Sequence, residues 1–321
     1  MWFILYWEKK NLIFIQEGRN MARNLHEIPK FQDRWSHLYL EMGKLDRNAG
    51  SLTFSDKSGK MPIPIDQLSL VMLGPGSSVT HAAFKALAEN NCLICWTGQD
   101  GTRLYAHGTG GTHSSHRLLR QARMYADDKQ RLAVARRMYQ KRFPEIILEN
   151  TSLETLRGKE GYRVRAAYEE NAETWGIRWD GRNYNQDNWD YADPVNRSLS
   201  AASACLYGIC HAAILSAGYS PAIGFIHTGK MLSFVYDIAD LYRTDLVIPV
   251  AFQAAQRNTE MERRARTLCR EKIRECKLMQ RILPDIAEVL DATDDLTERS
   301  GELEGRAVSM ADRTNQRRIS G

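Results

Sequence analysis

The stretch DPVNRSLSAASACLYGICHAAILSAG, from Asp193 to Gly218, constrains the fold more than any other part of the chain. Asp193 followed by Pro194 is a helix start, with a capping carboxylate before a proline whose missing N–H costs nothing in the first turn. Val195 to Ala217 then runs without a charge after Arg197 and is dense in Ala, Ser, Cys and Gly. Small side chains let neighbouring backbones approach closely, so this helix belongs at the centre of a domain. Gly218 ends it. A chain built around such a helix needs other helices to cover it on most sides.

Those helices are written around it. Apolar residues recur at three- and four-residue spacing over Arg117–Met124, Gln130–Arg142 and Leu153–Thr174. A long helical run opens at Pro249 and reaches Leu283, where Pro284 interrupts. Before Gly108 the pattern changes to short strands: His37–Met42, Ser51–Phe54, Met61–Ile65 and Leu68–Leu73, separated by Asp-Arg-Asn, Asp-Lys-Ser-Gly and Asp-Gln turns. A helix follows over Val79–Glu89, with Ser77 or Ser78 as its N-cap. Cys92–Trp96 and Thr102–Ala106 form a last hairpin. The expected fold is therefore α+β, a small β-rich N-terminal domain (21–110) followed by an all-α domain (111–290). The glycine-rich break Gly108–Gly111 is the expected linker; no Lys-Ser/Thr follows at the offset of a phosphate loop. Residues 1–20 read as an upstream extension of doubtful relevance, and Met21 opens a more ordinary polar start. Their apolar pieces are broken by Glu8, Lys9 and Lys10 and are too short to span a bilayer. The tail 291–321 has few apolar residues and reads as disordered.

Two segments are basic. His113–Arg142 holds nine Lys/Arg against Asp127 and Asp128, in a chain whose net charge is only +5. The helix-like Arg257–Arg281 is also rich in Lys and Arg. They suit either a polyanion partner, most simply nucleic acid, or two well-solvated helix faces. The six cysteines show no paired metal-ligand spacing. Cys92 and Cys95 would point to opposite faces of one strand and have no second CxxC or nearby His to complete a site, which argues against a redox or zinc role there. Reduced cysteines fit a cytoplasmic protein.

The chemistry concentrates in GFIHTGKMLSFVYDIAD, Gly224 to Asp240. His227 precedes a Gly229-Lys230 turn, and Asp237 and Asp240 stand inside an apolar run. On a helix over Leu232–Tyr242 the two carboxylates share one face, opposite Leu232, Val235 and Ala239. Such pairs are commonly solvated surface. Beside a core face they need positive compensation, from a divalent cation or a buried arginine. Glu160 is a third acidic candidate, bracketed by Gly158 and Gly161 although a helical glycine costs about 1 kcal/mol. Those glycines would admit a close backbone or phosphate; alternatively Glu160 is a surface residue beside Lys159 and Arg163.

Five stretches carry a family resemblance: LRGKEGYRVRAAY, WDGRNY, SAASACLYGI, AGYSPAIGFIHTGKMLSFVYDIADLYRTD and VIPVAF. Through them the chain, from about Arg34 to Leu290, resembles the CRISPR adaptation integrases that insert new spacer DNA, in their type I-E branch. Met231 stands where the family has proline, and the tail does not match. The resemblance implies a metal-dependent endonuclease and integrase of antiviral defence, with Glu160, His227 and Asp240 as ligands of Mg²⁺ or Mn²⁺. Asp237 matches a second catalytic-site aspartate, expected to tolerate alanine better than Asp240. The resemblance also implies a homodimer, two of which would flank a dimer of a small ferredoxin-like companion protein on double-stranded DNA. Two carboxylates and an imidazole suit a hard divalent cation. Lys230, Arg243, Arg263, Arg266 and Arg182 are expected to neutralise phosphates, with Arg264 turned away. Tyr184 and Tyr207 would stack on a strand end or serve as core tyrosines. A stand-alone nuclease and a non-catalytic DNA scaffold are the competing readings; an intact acidic set argues against the scaffold.

Overall fold

The computed structural model describes residues 31–34, 36–48, 51–101, 104–108, 115–148, 151–182, 193–257 and 259–291. Expectations for the extension before Met21, most of the glycine linker, Tyr184 and the tail lie outside these residues. The architecture is α+β as expected, strands first and helices after.

Two four-stranded sheets form the N-terminal part. In one, β1 (Leu38–Leu40), β5 (Leu70–Leu73) and β7 (Leu93–Thr97) run parallel, and β8 (Leu104–Gly108) closes the edge antiparallel. In the other, β4 (Gly59–Ile63), β3 (Ser51–Asp56), β2 (Lys44–Asn48) and the two-residue β6 (Ser78–Val79) lie side by side. β2 includes the Asp-Arg-Asn expected as a turn. Over Lys44–Arg47 only Leu45 is fully buried, too little for a period-two pattern to be visible. Helix α1 (His81–Glu89) starts later than expected because Thr80, not a serine, caps it: its hydroxyl accepts from Ala83 N at 3.3 Å.

The central strands β5 and β7 of the first sheet are buried on both faces, which is why LVML and LICW are almost continuously apolar. Val71, Leu73, Cys92 and Ile94 face the second sheet and α1. Leu70, Met72, Leu93 and Cys95 face the helices. Cys92 and Cys95 do point to opposite sides, and burial pushes both thiols up to about 12.

The helical part comprises α2 (His116–Ala126), α3 (Asp128–Arg142), α4 (Leu153–Trp175), α5 (Pro194–Ser216), α6 (Ser233–Ala239), α7 (Ile248–Ala255), α8 (Met261–Glu275) and α9 (Leu278–Val289). α5 is the central helix: 17 of its 23 residues are buried. Asp193 caps it by accepting from Val195 N and Asn196 N, both at 3.0 Å. By length and composition it could cross a membrane, but it is enclosed by protein. Gly208 lets it rest on β5, since a Cβ there would stand 2.5 Å from Leu70 Cδ2. The expected single run from Pro249 to Leu283 is three helices. It turns at Glu260 and Lys277, both at positive φ, and Pro284 sits inside α9 rather than ending it.

Candidate active site

The segment after α5 is fixed by two buried polar side chains, each acting as a frame for backbone. Gln121, wholly buried on α2, donates to Ser220 O at 3.0 Å and Ile223 O at 2.8 Å, and accepts from Ser220 N. Asp237, wholly buried on α6, takes over two residues later, at Phe225. Its Oδ2 accepts from Phe225 N and Ile226 N, and its Oδ1 accepts from His227 N at 2.8 Å. The same Oδ1 lies 2.8 Å from His227 Nδ1. A carboxylate saturated by four donors has no lone pair left for a ligand, so Asp237 builds the site and does not face it. That geometry predicts a larger response to its replacement than the mild one expected from the sequence.

Asp237 sets the imidazole: Nδ1–H points at the carboxylate and Nε2 turns outward, 3.8 Å from Asp240 Oδ2. The carboxylate hydrogen bond raises the His227 pKa against the opposing effect of burial. α6 is shorter than the expected Leu232–Tyr242, and Asp240 occupies its C-cap. A five-residue π-helical turn, Arg243–Val247, follows. Burial raises the Asp240 carboxyl above its ordinary value, against the pull of Arg142, Arg243 and His227. Arg243 Nη1 is 3.7 Å from Asp240 Oδ1.

Glu160 reaches the same place from α4. Its Oε1 pairs with Arg142 Nη1, and its Oε2 accepts from Tyr139 OH at 3.3 Å. It is therefore neither a solvated surface glutamate nor dependent on its neighbouring glycines. A Cβ at Gly158 would meet nothing within 4 Å. Arg142, Glu160, Arg163, Asp240, Thr244 and Asp245 line a cleft of about 30 Å³, room for one or two waters or an ion. A larger cavity of about 520 Å³, lined by Trp175, Ile177, Asp193, Pro194 and Arg257, contains none of Glu160, His227, Asp237 and Asp240.

Sequence reasoning missed Arg142. It ends a basic helix and reads as one more solvated charge, yet only 5% of its side chain is exposed. Its Nη2 donates to Asp237 O at 3.1 Å, tying α3 to α6. The alternative weighed for the acidic pair, a buried arginine, is thus present. Among the described residues no three His, Cys, Asp or Glu side chains are arranged to hold a metal ion. The donors nevertheless suit one. His227 offers an oriented Nε2, and Asp240 is a desolvated carboxylate whose charge is incompletely compensated.

The expected phosphate contacts divide. Lys230 is exposed on its turn, and Arg182 is exposed beyond α4. Arg243 is half-buried against Asp240. Tyr207 packs edge-on to Tyr236 at 5.2 Å, and Tyr236 edge-on to His227 at 5.9 Å, an aromatic row supporting the imidazole. Arg263 is exposed beside Glu260. Arg266, expected at a phosphate, is instead placed inside: it is buried, with its guanidinium carbon 4.3 Å from the Tyr39 ring centre, joining α8 to β1. Arg264 is held by backbone. Its guanidinium donates to Ala254 O at the end of α7, so it is structural rather than a solvated control.

Known proteins place this arrangement. The family described as CRISPR associated protein Cas1 matches residues 38–147 and 139–266, a span that includes every residue of the cleft. The CRISPR-associated endonuclease Cas1 2 of Thermus thermophilus is 49% identical over 266 residues, covering 83% of this chain and 82% of its own. The CRISPR-associated endonuclease Cas1 of Escherichia coli is 44% identical over 270 residues, with 84% and 88% covered. The solved TtCas1–DNA complex superimposes with a TM-score of 0.73 at 46% identity, covering 79% of this chain and 91% of that one. The chain belongs to the Cas1 family of CRISPR-associated proteins.

Proposed function

We propose that this chain is a divalent-metal-dependent DNA endonuclease and integrase, of the type I-E branch, that inserts spacer DNA into a CRISPR array. The observation that carries the reading is the His227 ring, locked by Asp237 so that Nε2 faces Asp240 beside the cleft that also holds Glu160. Glu160, His227 and Asp240 would hold Mg²⁺ or Mn²⁺. When bound, such a cation acidifies the attacking hydroxyl and neutralises charge on the phosphoryl group.

The reaction is an exchange of phosphodiesters. A spacer 3′-oxygen forms a bond to phosphorus at the repeat end, and the bond from that phosphorus to the displaced 3′-oxygen breaks. The proton lost by the first oxygen is balanced by one gained by the second. Arg243, beside Asp240, is placed to offset phosphate charge, and Lys230 extends the positive edge past the His227 loop. The solved TtCas1–DNA complex supports DNA as the partner, which we read as duplex. We extend the same reading to a homodimer, a small companion protein and a cytoplasmic setting.

The test is covalent joining of a labelled short duplex to a supercoiled plasmid with Mg²⁺ or Mn²⁺, with and without the companion. Joined product is expected. Nicking without joining, indifferent to the companion, would favour the stand-alone nuclease.

Arg263 and Arg266, two of the arginines of α8, now separate. Arg263→Ala should flatten the dependence of log affinity on log salt by roughly 0.9 if it meets one phosphate of duplex DNA. Arg266→Ala should leave that slope unchanged and instead cost about 1–2 kcal/mol of stability through its lost aromatic and packing contacts. Affinity titrations at several salt concentrations, with thermal melts alongside, measure both. An equal flattening by Arg266→Ala would show that this guanidinium leaves Tyr39 to reach DNA.

A further inference from the structure

The acidic site already contains a cation of its own. Asp237, Asp240 and Glu160 bring three carboxylates to the junction of α3, α4 and α6. Asp237 is neutralised by backbone donors and His227. Glu160 and Asp240 are left to be compensated from elsewhere. Arg142 stands between them in electrostatic terms: one nitrogen pairs with Glu160, the other with the Asp237 carbonyl, and its charge also acts on Asp240 and His227.

Arg142 is not housed as a purely structural arginine would be. Its Nε is buried without a hydrogen-bond partner, although Nη1 and Nη2 are both engaged. One face lies over Tyr139, 5.2 Å from the ring centre, and the Tyr139 hydroxyl donates to the other oxygen of Glu160. Both Glu160 oxygens are thus held from α3. Arginine suits this role because its fork bridges two acceptors at once and never deprotonates. A lysine ammonium keeps the charge without the planar bridge.

Resting on the metal reading above, we propose that Arg142 is a resident counter-ion of Glu160, which keeps the carboxylates assembled and which a divalent cation must compete with. It is a positioning residue, not a ligand. A positive charge fixed beside a cation site lowers cation affinity, because like charges repel strongly where water is scarce. The site would then take up its metal weakly until DNA phosphates add negative charge.

The experiment is titration of the full-length, DNA-free protein with Mn²⁺ alone, read by calorimetry or by loss of the free-ion paramagnetic signal. Arg142→Gln should bind Mn²⁺ about tenfold more tightly than the parent, as expected for removal of one nearby charge. Arg142→Lys, with the charge kept, should stay within about threefold. In metal-free melts, the loss of Tm in Arg142→Gln should shrink when Glu160→Gln is added, because the partner no longer needs compensation. Equal or weaker Mn²⁺ binding by Arg142→Gln would overturn the competition and leave the metal reading intact. No binding by the parent or any variant would overturn both. Should Arg142→Gln fail to fold, Arg142→Lys decides: a tenfold gain there overturns the proposal.

Discussion

Asp237→Ala is expected to abolish strand joining and to destabilise the protein, although Asp237 does not face the reacting groups. Its carboxylate accepts three consecutive backbone N–H groups, from Phe225, Ile226 and His227, as well as the imidazole. Alanine leaves those donors without partners beneath α6, where Phe234, Val235 and Ile238 are fully buried. Each donor left dry costs about 1–3 kcal/mol, so a total loss of roughly 3 kcal/mol or more is expected in a denaturant titration. The imidazole loses its orienting partner in the same step. Asp237→Asn is the sharper variant. One amide oxygen can still accept, but the –NH₂ group then opposes an N–H, so activity should fall further than stability does. Wild-type joining by either variant would show that the loop holds His227 without help.

Gly224→Ala should be almost as damaging, with a single methyl group. A Cβ at this position would stand 2.3 Å from His227 O and 2.8 Å from backbone and Cβ atoms of Ser233. Neither obstacle is the movable end of a long side chain. One is the carbonyl of the residue that presents the imidazole, and the other begins α6. The loop must therefore shift at His227, and a shift of about 1 Å at a reacting group is enough to cost on the order of a hundredfold in rate. Melting temperature should fall as well, since overpacking a fixed site costs about 1–3 kcal/mol. The same substitution at Gly158, where a Cβ meets nothing within 4 Å, should leave stability unchanged or slightly raised. Comparing the two in one melt and one joining assay separates close packing from a general glycine effect.

The parts of this architecture that rest on local chemistry were legible in the sequence. Asp193-Pro194 and the small residues behind it specify α5 and its burial without any tertiary information. The alternating fates of Cys92 and Cys95 follow from strand geometry. β2 was not legible because Leu45 stands between the exposed or half-buried Lys44, Asp46 and Arg47, and its pairing with β3 supplies what its composition lacks. Helical spacing did bring Asp237 and Asp240 near one another. Which of them serves the backbone depends on a loop ten to twelve residues upstream, and spacing carries no record of that contact. Arg142 was hidden for the same reason. Lys141 and Arg142 look alike at the end of a basic helix, but Lys141 pairs with Asp285 and Glu288 while Arg142 turns into the acidic cleft.

The central claim is that a fixed imidazole, with Glu160 and Asp240, forms a divalent-cation site for strand joining. His227→Ala tests it most cleanly. The ring is partly exposed, and the three backbone hydrogen bonds to Asp237 do not need it. Parent and variant should therefore melt at nearly the same temperature and bind duplex DNA alike. With labelled duplex, supercoiled plasmid and Mn²⁺, the parent is predicted to yield covalently joined product that chelator abolishes, and His227→Ala none above the chelated control. Joining by His227→Ala at the parent's rate, or joining by the parent in chelator, would contradict the account.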